Sequence, residues 1–144
     1  MWLRTEGNVM SDPADEADGQ RQRNVFGARL EPCSEDPMTG FLRDGCCADH
    51  PDDRGRHEIC AVVTEDFLQF SKARGNDLIT PRPEFDFPGL DPGDRWCLCV
   101  GRWLEAERED VAPPIVLEAT NESVLAEIDT ETLREYEYDP DGNA

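Results

Sequence analysis

The stretch at 93–103, GDRWCLCVGRW, sets the tightest limit on what this chain can become. At the two-residue period of a β-strand, Trp96, Leu98 and Val100 fall on one face and Cys97 and Cys99 on the other. Neither face is polar, so a strand of this kind needs cover on both sides and belongs inside the fold. EICAVV, residues 58–63, has the same character: Ile59, Ala61 and Val63 alternate with Cys60 and Val62. A chain of 144 residues with 38% hydrophobic content supports one such core in one domain.

The flanking segments supply the rest of an α+β domain. Thr64 suits an N-cap, Glu65 and Asp66 suit the positive end of a helix, and Phe67, Leu68 and Phe70 give it an apolar stripe, predicting a helix over 65–74 ended by Gly75. NDLITPRPEFDFPGLDPGD contains four prolines, with Pro88-Gly89 and Pro92-Gly93 each fitting the centre of a type II turn. It is expected to be an extended arm that packs Phe85, Phe87 and Leu90 against the domain. RWLEAERED reads as a short helix and IVLEA as a third strand. Thr120 or Asn121 can start a helical turn, and Thr130 is expected to cap a last helix, ETLREYEY. VFGARL is a short candidate strand, and Asp44-Gly45 fits a two-residue hairpin turn. The expected fold is one small domain: a short mixed or antiparallel sheet, two to three short helices and the Pro-rich arm. Residues 1–24 lack any apolar period and read as a disordered acidic leader, with Met10 an alternative start to Met1; 25–138 form the globular unit and 139–144 a disordered tail.

The charge excludes whole classes of partner. Thirty-three carboxylates face fourteen basic residues, thirteen Arg and the single Lys72, for a formal net charge of -19. Residues 105–144 alone hold thirteen carboxylates and two arginines, a net of -11. Nucleic-acid binding requires clustered cations, and membrane-surface binding a basic or strongly apolar face; neither is present. Repulsion of this size is tolerable where salt screens it, to about 3 Å at 1 M, so the composition points to the cytosol of a salt-adapted microbe. No apolar run has the length of a membrane span, and residues 1–20 lack the apolar centre of a signal peptide. The protein is therefore read as cytoplasmic, and its six cysteines as thiols or ligands before disulfides.

Several phrases, PCSEDPMTGFLRDGCC, HEICAVVTEDFLQFSKARGNDLITPRPEFDFPGLDPGDRWCLC, RWLEA and APPIVLEAT, together resemble one microbial family, domain of unknown function 2237, over about residues 25–137. The resemblance implies a single small cytosolic domain and carries no mechanism. In that family a His commonly follows the EAT phrase; this chain has Asn121 there, so no role of that imidazole is carried over.

Three kinds of chemistry remain open. Cys33, Cys47, Cys60, Cys97, Cys99 and His57 could form a zinc shell, but no Cys-x-x-Cys knuckle is present, and His57 and Cys60 should point to opposite faces of an extended segment. Packing as small buried hydrophobes is the preferred role for the cysteines. For a nucleophilic thiol, Cys46 or Cys47 beside the Asp44-Gly45 turn is the expected candidate, with His50 or His57 the available base and nearby Asp44 and Asp49 opposing ionisation. Asp49, Asp52 and Asp53 lack the spacing of a calcium loop. Arg43, Asp44, Asp77, Arg82, Asp94 and Arg95 all fall in loops between buried elements, where binding groups are commonly carried. The preferred function is binding of a small polar molecule or a protein partner through these six, with no cofactor; the rival is a thiol- or zinc-dependent enzyme using the cysteines. An interaction module using the arm and exposed aromatics is a third option.

Overall fold

A computed structural model describes residues 22–140. Two strands pair antiparallel at its centre, β1 (His57–Val62) and β2 (Arg95–Cys99). Their register places Ile59 opposite Leu98, Cys60 opposite Cys97 and Ala61 opposite Trp96. The expected alternation therefore divides the interior in two. Ile59, Ala61 and Leu98 join the main core with Phe67, Trp103, Ile115 and Leu133, whereas Cys60 and Cys97 join a sulfur-rich cluster with Cys33, Cys47 and Ala119. A bulge between His57 and Ile59 interrupts the ladder, and beyond it His57 lies opposite Cys99.

Helix α1 (Glu65–Ala73) follows β1, with Thr64 accepting a hydrogen bond from the Phe67 N–H as its cap and Phe67 and Leu68 buried. Helix α2 (Val100–Arg108) begins where β2 ends, with Cys99 at its N-cap position. Val100 thus belongs to the helix, and it buries one side of α2 with Trp103 and Ala106. The Trp103 indole donates to the Pro113 carbonyl at 3.1 Å and meets Tyr136 edge-on. Helix α3 (Thr130–Glu135) is capped one residue earlier than expected, by Asp129, whose carboxylate accepts from the Thr132 N–H. Asn121 caps the short 3₁₀ turn Glu122–Ala126.

The small α+β architecture is as expected, but two expected strands and a hairpin are replaced. IVLEA touches β1 only at its start, where Val116 N–H donates to the Cys60 carbonyl and the Pro114 carbonyl accepts from Val62 N–H. Proline has no N–H with which to extend the ladder, and the chain turns into the 3₁₀ segment Leu117–Ala119. The sheet therefore has two strands. VFGARL is a tight loop: buried Asn24 accepts from the Phe26 and Ala28 N–H groups and its amide donates to the Glu118 carbonyl. Asp44-Gly45 makes a turn without paired strands on either side, the Asp44 carboxylate accepting from the Cys46 N–H. The arm behaves as expected in burying Phe87 and Leu90, but Phe85 stays 65% exposed beside a one-turn 3₁₀ segment. The leader and tail readings fall almost wholly on residues 1–21 and 141–144, outside the described residues; within the leader, Gln22 bonds Asn121 and Asp49 and Asn24 is buried.

Candidate functional site

The six cysteines divide into three environments. Cys33 is bonded to Cys60 and Cys47 to Cys97, while Cys46 and Cys99 remain free thiols. This corrects the expectation that the buried cysteines are thiols packing as hydrophobes: the register that sets Cys60 beside Cys97 gathers four sulfurs on one sheet face, close enough to pair. The Cys33, Cys47 and Cys97 sulfurs lie within 4.8 Å of one another, a spacing from which thiolates could hold a metal, but as disulfides they lack the charge to do so. The expected reactive pair is also displaced. Cys47 is bonded, and Cys46 is buried with its thiol pushed up to about 11, first by desolvation and then by the carboxylates of Asp44 and Glu35.

Cys99 is half-buried at the start of α2, and His57 is its cross-strand neighbour. Sequence spacing alone turned His57 away from Cys60, and the bulge between His57 and Ile59 changes that, pairing His57 with Cys99. Arg56, just before it, adopts a left-handed φ of 54°, uncommon outside glycine and a local cost on the order of 1 kcal/mol. Its carbonyl accepts from the Val100 N–H at 3.1 Å, tying the bulge to the first residue of α2.

Asp53 holds the imidazole from behind. Its Oδ1 lies 2.8 Å from His57 Nδ1 and accepts from the Arg56 N–H, while Oδ2 accepts from the His57 N–H at 2.8 Å. Asp53 is 4% exposed, and both of its oxygens are taken by protein donors. A carboxylate only accepts, so Nδ1 carries a proton and Nε2 is left for the bond that His57 makes with Cys99. That bond is the largest cause raising the His57 pKa to about 9, with Asp53 adding to it, against the opposing effect of burial. His57 is accordingly an imidazolium at neutral pH, beside a sulfur. Gly55 leaves room for the contact: a Cβ there would sit 3.1 Å from His57 Cε1 and 3.2 Å from Cys99 Sγ. Phe41 stacks on the imidazole with ring centres 6.5 Å apart.

Cys99 opens onto a hollow of about 550 Å³ lined also by Arg54, Gly55, Arg56, Gly101 and Arg102. The Gly101 and Arg102 N–H groups lie in the first turn of α2, where backbone N–H groups have no carbonyl one turn back within the helix, and the Cys99 side chain does not cap them. Arg56 is held by Glu58 and Glu127, and Arg102 by Glu105.

The six loop residues do not meet at one place of this kind. The Asp77 carboxylate accepts from the Ile79 and Thr80 N–H groups and the Thr80 hydroxyl, which lower its pKa to about 2. Asp94 accepts from the Asp91 N–H and Asp44 from the Cys46 N–H, each closing its own turn. Arg43 donates to the Met38 and Phe85 carbonyls, and Arg82 is exposed on the arm. Arg95 lies over the Tyr138 ring and lines a hollow of about 660 Å³ whose wall includes none of the other five.

Sequence reasoning held Cys99 in the thiol or zinc set and His57 as a zinc ligand or as the base for Cys46 or Cys47, and missed the pairing of His57 with Cys99 and Asp53 and Gly55 as their partners. The signal present in the sequence was local, Asp53 four residues ahead of His57 across a glycine turn. Among the described residues no helix is long and apolar enough to cross a membrane. The model of a family described as "Uncharacterized protein conserved in bacteria (DUF2237)" matches residues 23–137. No curated protein matches the chain.

Proposed function

We propose that this chain, which belongs to the DUF2237 family, is a thiol-dependent enzyme whose nucleophile is Cys99. The observation that carries the proposal is the run Asp53, His57, Cys99: Asp53 is bonded to the imidazole at 2.8 Å, and Cys99 lies opposite His57 in the ladder, at a helix N-terminus that opens onto a hollow. A thiol needs a base or a cation to act as its anion, and the base needs a third group to fix its tautomer. His57 and Asp53 fill these two roles.

The chemistry supported is attack on a polarised carbonyl. Cys99 attacks as the sulfur anion beside the His57 imidazolium, its lone pair forming an S–C bond with the carbonyl carbon. The C=O π electrons move to oxygen, where the first-turn Gly101 and Arg102 N–H groups of α2 can meet the developing charge. Collapse expels the leaving group, which takes its proton from His57, and water then cleaves the thioester to regenerate the thiol.

The zinc form of the thiol reading would require both disulfides to be reduced first. Binding of a polar ligand through Arg43, Asp44, Asp77, Arg82, Asp94 and Arg95 has less support, since three of these carboxylates already close turns. The acid excess and single lysine support a salt-adapted cytosolic setting, whereas two disulfides are rare in a reducing cytosol, so the setting is tested together with the disulfides.

Native-state alkylation with iodoacetamide at neutral pH, read by peptide mass mapping, tests the proposal. Cys99 is expected to be labelled ahead of Cys46. An unassisted thiol is only a few per cent ionised at pH 7, but an assisted one is intrinsically a weaker nucleophile, so His57→Gln should slow the Cys99 reaction about tenfold. Asp53→Asn should shift the pH at which that rate changes, a readout that a purely structural role would not move. A Cys99 that resists reagent until unfolding, or whose rate ignores His57→Gln, refutes the reading.

A further inference from the structure

The Cys99 hollow has a local charge opposite to that of the chain. Three arginines, Arg54, Arg56 and Arg102, face two carboxylates, Glu105 and Glu127, in a protein of net charge -19. Both carboxylates are neutralised: Glu127 by Arg56 at 2.8 Å, and Glu105 by Arg102 at 3.2 Å and by Arg74 at 3.1 Å. Arg56 is further committed to Glu58, whose buried Oε1 it reaches at 3.0 Å. Arg54 is different. It is exposed at the rim, one residue from Gly55, and makes no hydrogen bond or ion pair among the described residues. A cation left unpaired among so many available carboxylates is free to bind something that arrives from solution.

A second observation points the same way. The positive end of α2 lies at the same hollow, whose wall includes the first-turn residues Gly101 and Arg102. One group of a bound molecule could use their amides at the reacting carbon while another uses Arg54.

We infer that the substrate of the Cys99 site carries an anionic group of the carboxylate class, held by the Arg54 guanidinium at the rim while its electrophilic carbon faces Cys99. This rests on the thiol reading above and adds the substrate's charge. Arg54 is the specificity-determining residue. Its planar fork accepts a carboxylate through two parallel N–H bonds, which a lysine would not reproduce.

Iodoacetate and iodoacetamide test this directly, since both form an S–C bond to Cys99 and release iodide but only the first is an anion. The measured quantity is the iodoacetate-to-iodoacetamide rate ratio at Cys99 at low ionic strength, divided by the same ratio for a short neutral cysteine peptide. In the full chain it should exceed unity by about fivefold, the scale of a single partly exposed charge contact, and fall toward unity at 1 M salt. Arg54→Gln should bring it to unity or below, because the net charge of the chain then repels the anion unopposed. Arg108→Gln, at the far end of α2, should leave it in place. A normalised ratio of one or less in the unaltered chain overturns the inference while leaving the thiol reading standing. A preference that survives Arg54→Gln overturns the assignment to Arg54. A Cys99 that neither reagent labels removes the thiol reading itself.

Discussion

Breaking the Cys47–Cys97 link should cost this protein a large part of its stability. The bridged residues are 50 positions apart, and Cys33 and Cys60 are 27 apart. Chain-entropy loss in the unfolded state gives about 4 kcal/mol for the longer loop and about 3.5 kcal/mol for the shorter. Domains of this size are stable by about 5–15 kcal/mol, so either link is a substantial fraction of the whole. Because the loops 33–60 and 47–97 overlap, the second link adds less than its separate value. The perturbation is Cys47→Ser with Cys97→Ser, and the assay is urea unfolding followed by tryptophan fluorescence, with and without reductant. At a urea dependence of about 2 kcal/mol per M, the midpoint should fall by about 2 M, and reductant should lower the unaltered protein at least as far. Alkylation in denaturant before reduction should reach only Cys46 and Cys99 among the described cysteines. Coincident midpoints in oxidising and reducing buffer, or uptake of reagent by Cys33, Cys47, Cys60 or Cys97 before reduction, would refute the pairing and return these sulfurs to the thiol role read from the sequence.

Two further outcomes follow from charge. With a net of -19, the unfolding midpoint should rise between 0.1 M and about 2 M KCl, as the screening length falls from about 10 Å to 3 Å or less; thermal scans that show no rise would remove the salt-adapted reading. Asp77 should titrate at about 2, so the stabilisation from its turn is complete above the ordinary carboxylate range and is lost as pH falls through about 2. Thr80→Val removes the hydroxyl donor, and NMR titration should then find Asp77 nearer its ordinary value; an unchanged value would show that the hydroxyl does not set it.

What the sequence made legible was whatever depends on period and end chemistry. Ile59 and Ala61 on one side and Cys60 on the other, with Leu98 and Cys97 to match, can be read from a two-residue alternation, and Thr64 ahead of Glu65 and Asp66 from helix capping. What stayed hidden depends on a single irregular residue or on chain return. The left-handed Arg56 carries no sequence mark, yet the bulge after it brings His57 opposite Cys99. IVLEA has the composition of a strand, but the prolines ahead of it and the turn at Leu117 limit its ladder with β1 to two bonds. Cys46 and Cys47 looked equally exposed beside a turn; both are buried because that turn folds back so that the Cys33 N–H reaches the Gly45 carbonyl.

The disulfides and the free thiol are parts of one arrangement. The segment that carries Asp53, Gly55 and His57 runs from Cys47 to Cys60, and each of those cysteines is covalently anchored, Cys47 to β2 two residues before Cys99 and Cys60 to Cys33. A loop pinned at both ends has little conformational freedom left to lose, so its carboxylate and imidazole can be held against Cys99 without a large local core beneath them. Tethering also offsets the left-handed backbone at Arg56, which a free loop would relax. The reactivity of Cys99 and the redox state of its neighbours are therefore coupled. Reduction frees the loop that presents His57, so a Cys99 that is reactive in oxidised protein and sluggish in reductant, while helices α1 and α2 remain folded, is the behaviour this geometry requires; equal reactivity in both states would show that the bulge and Asp53 hold His57 in place unaided.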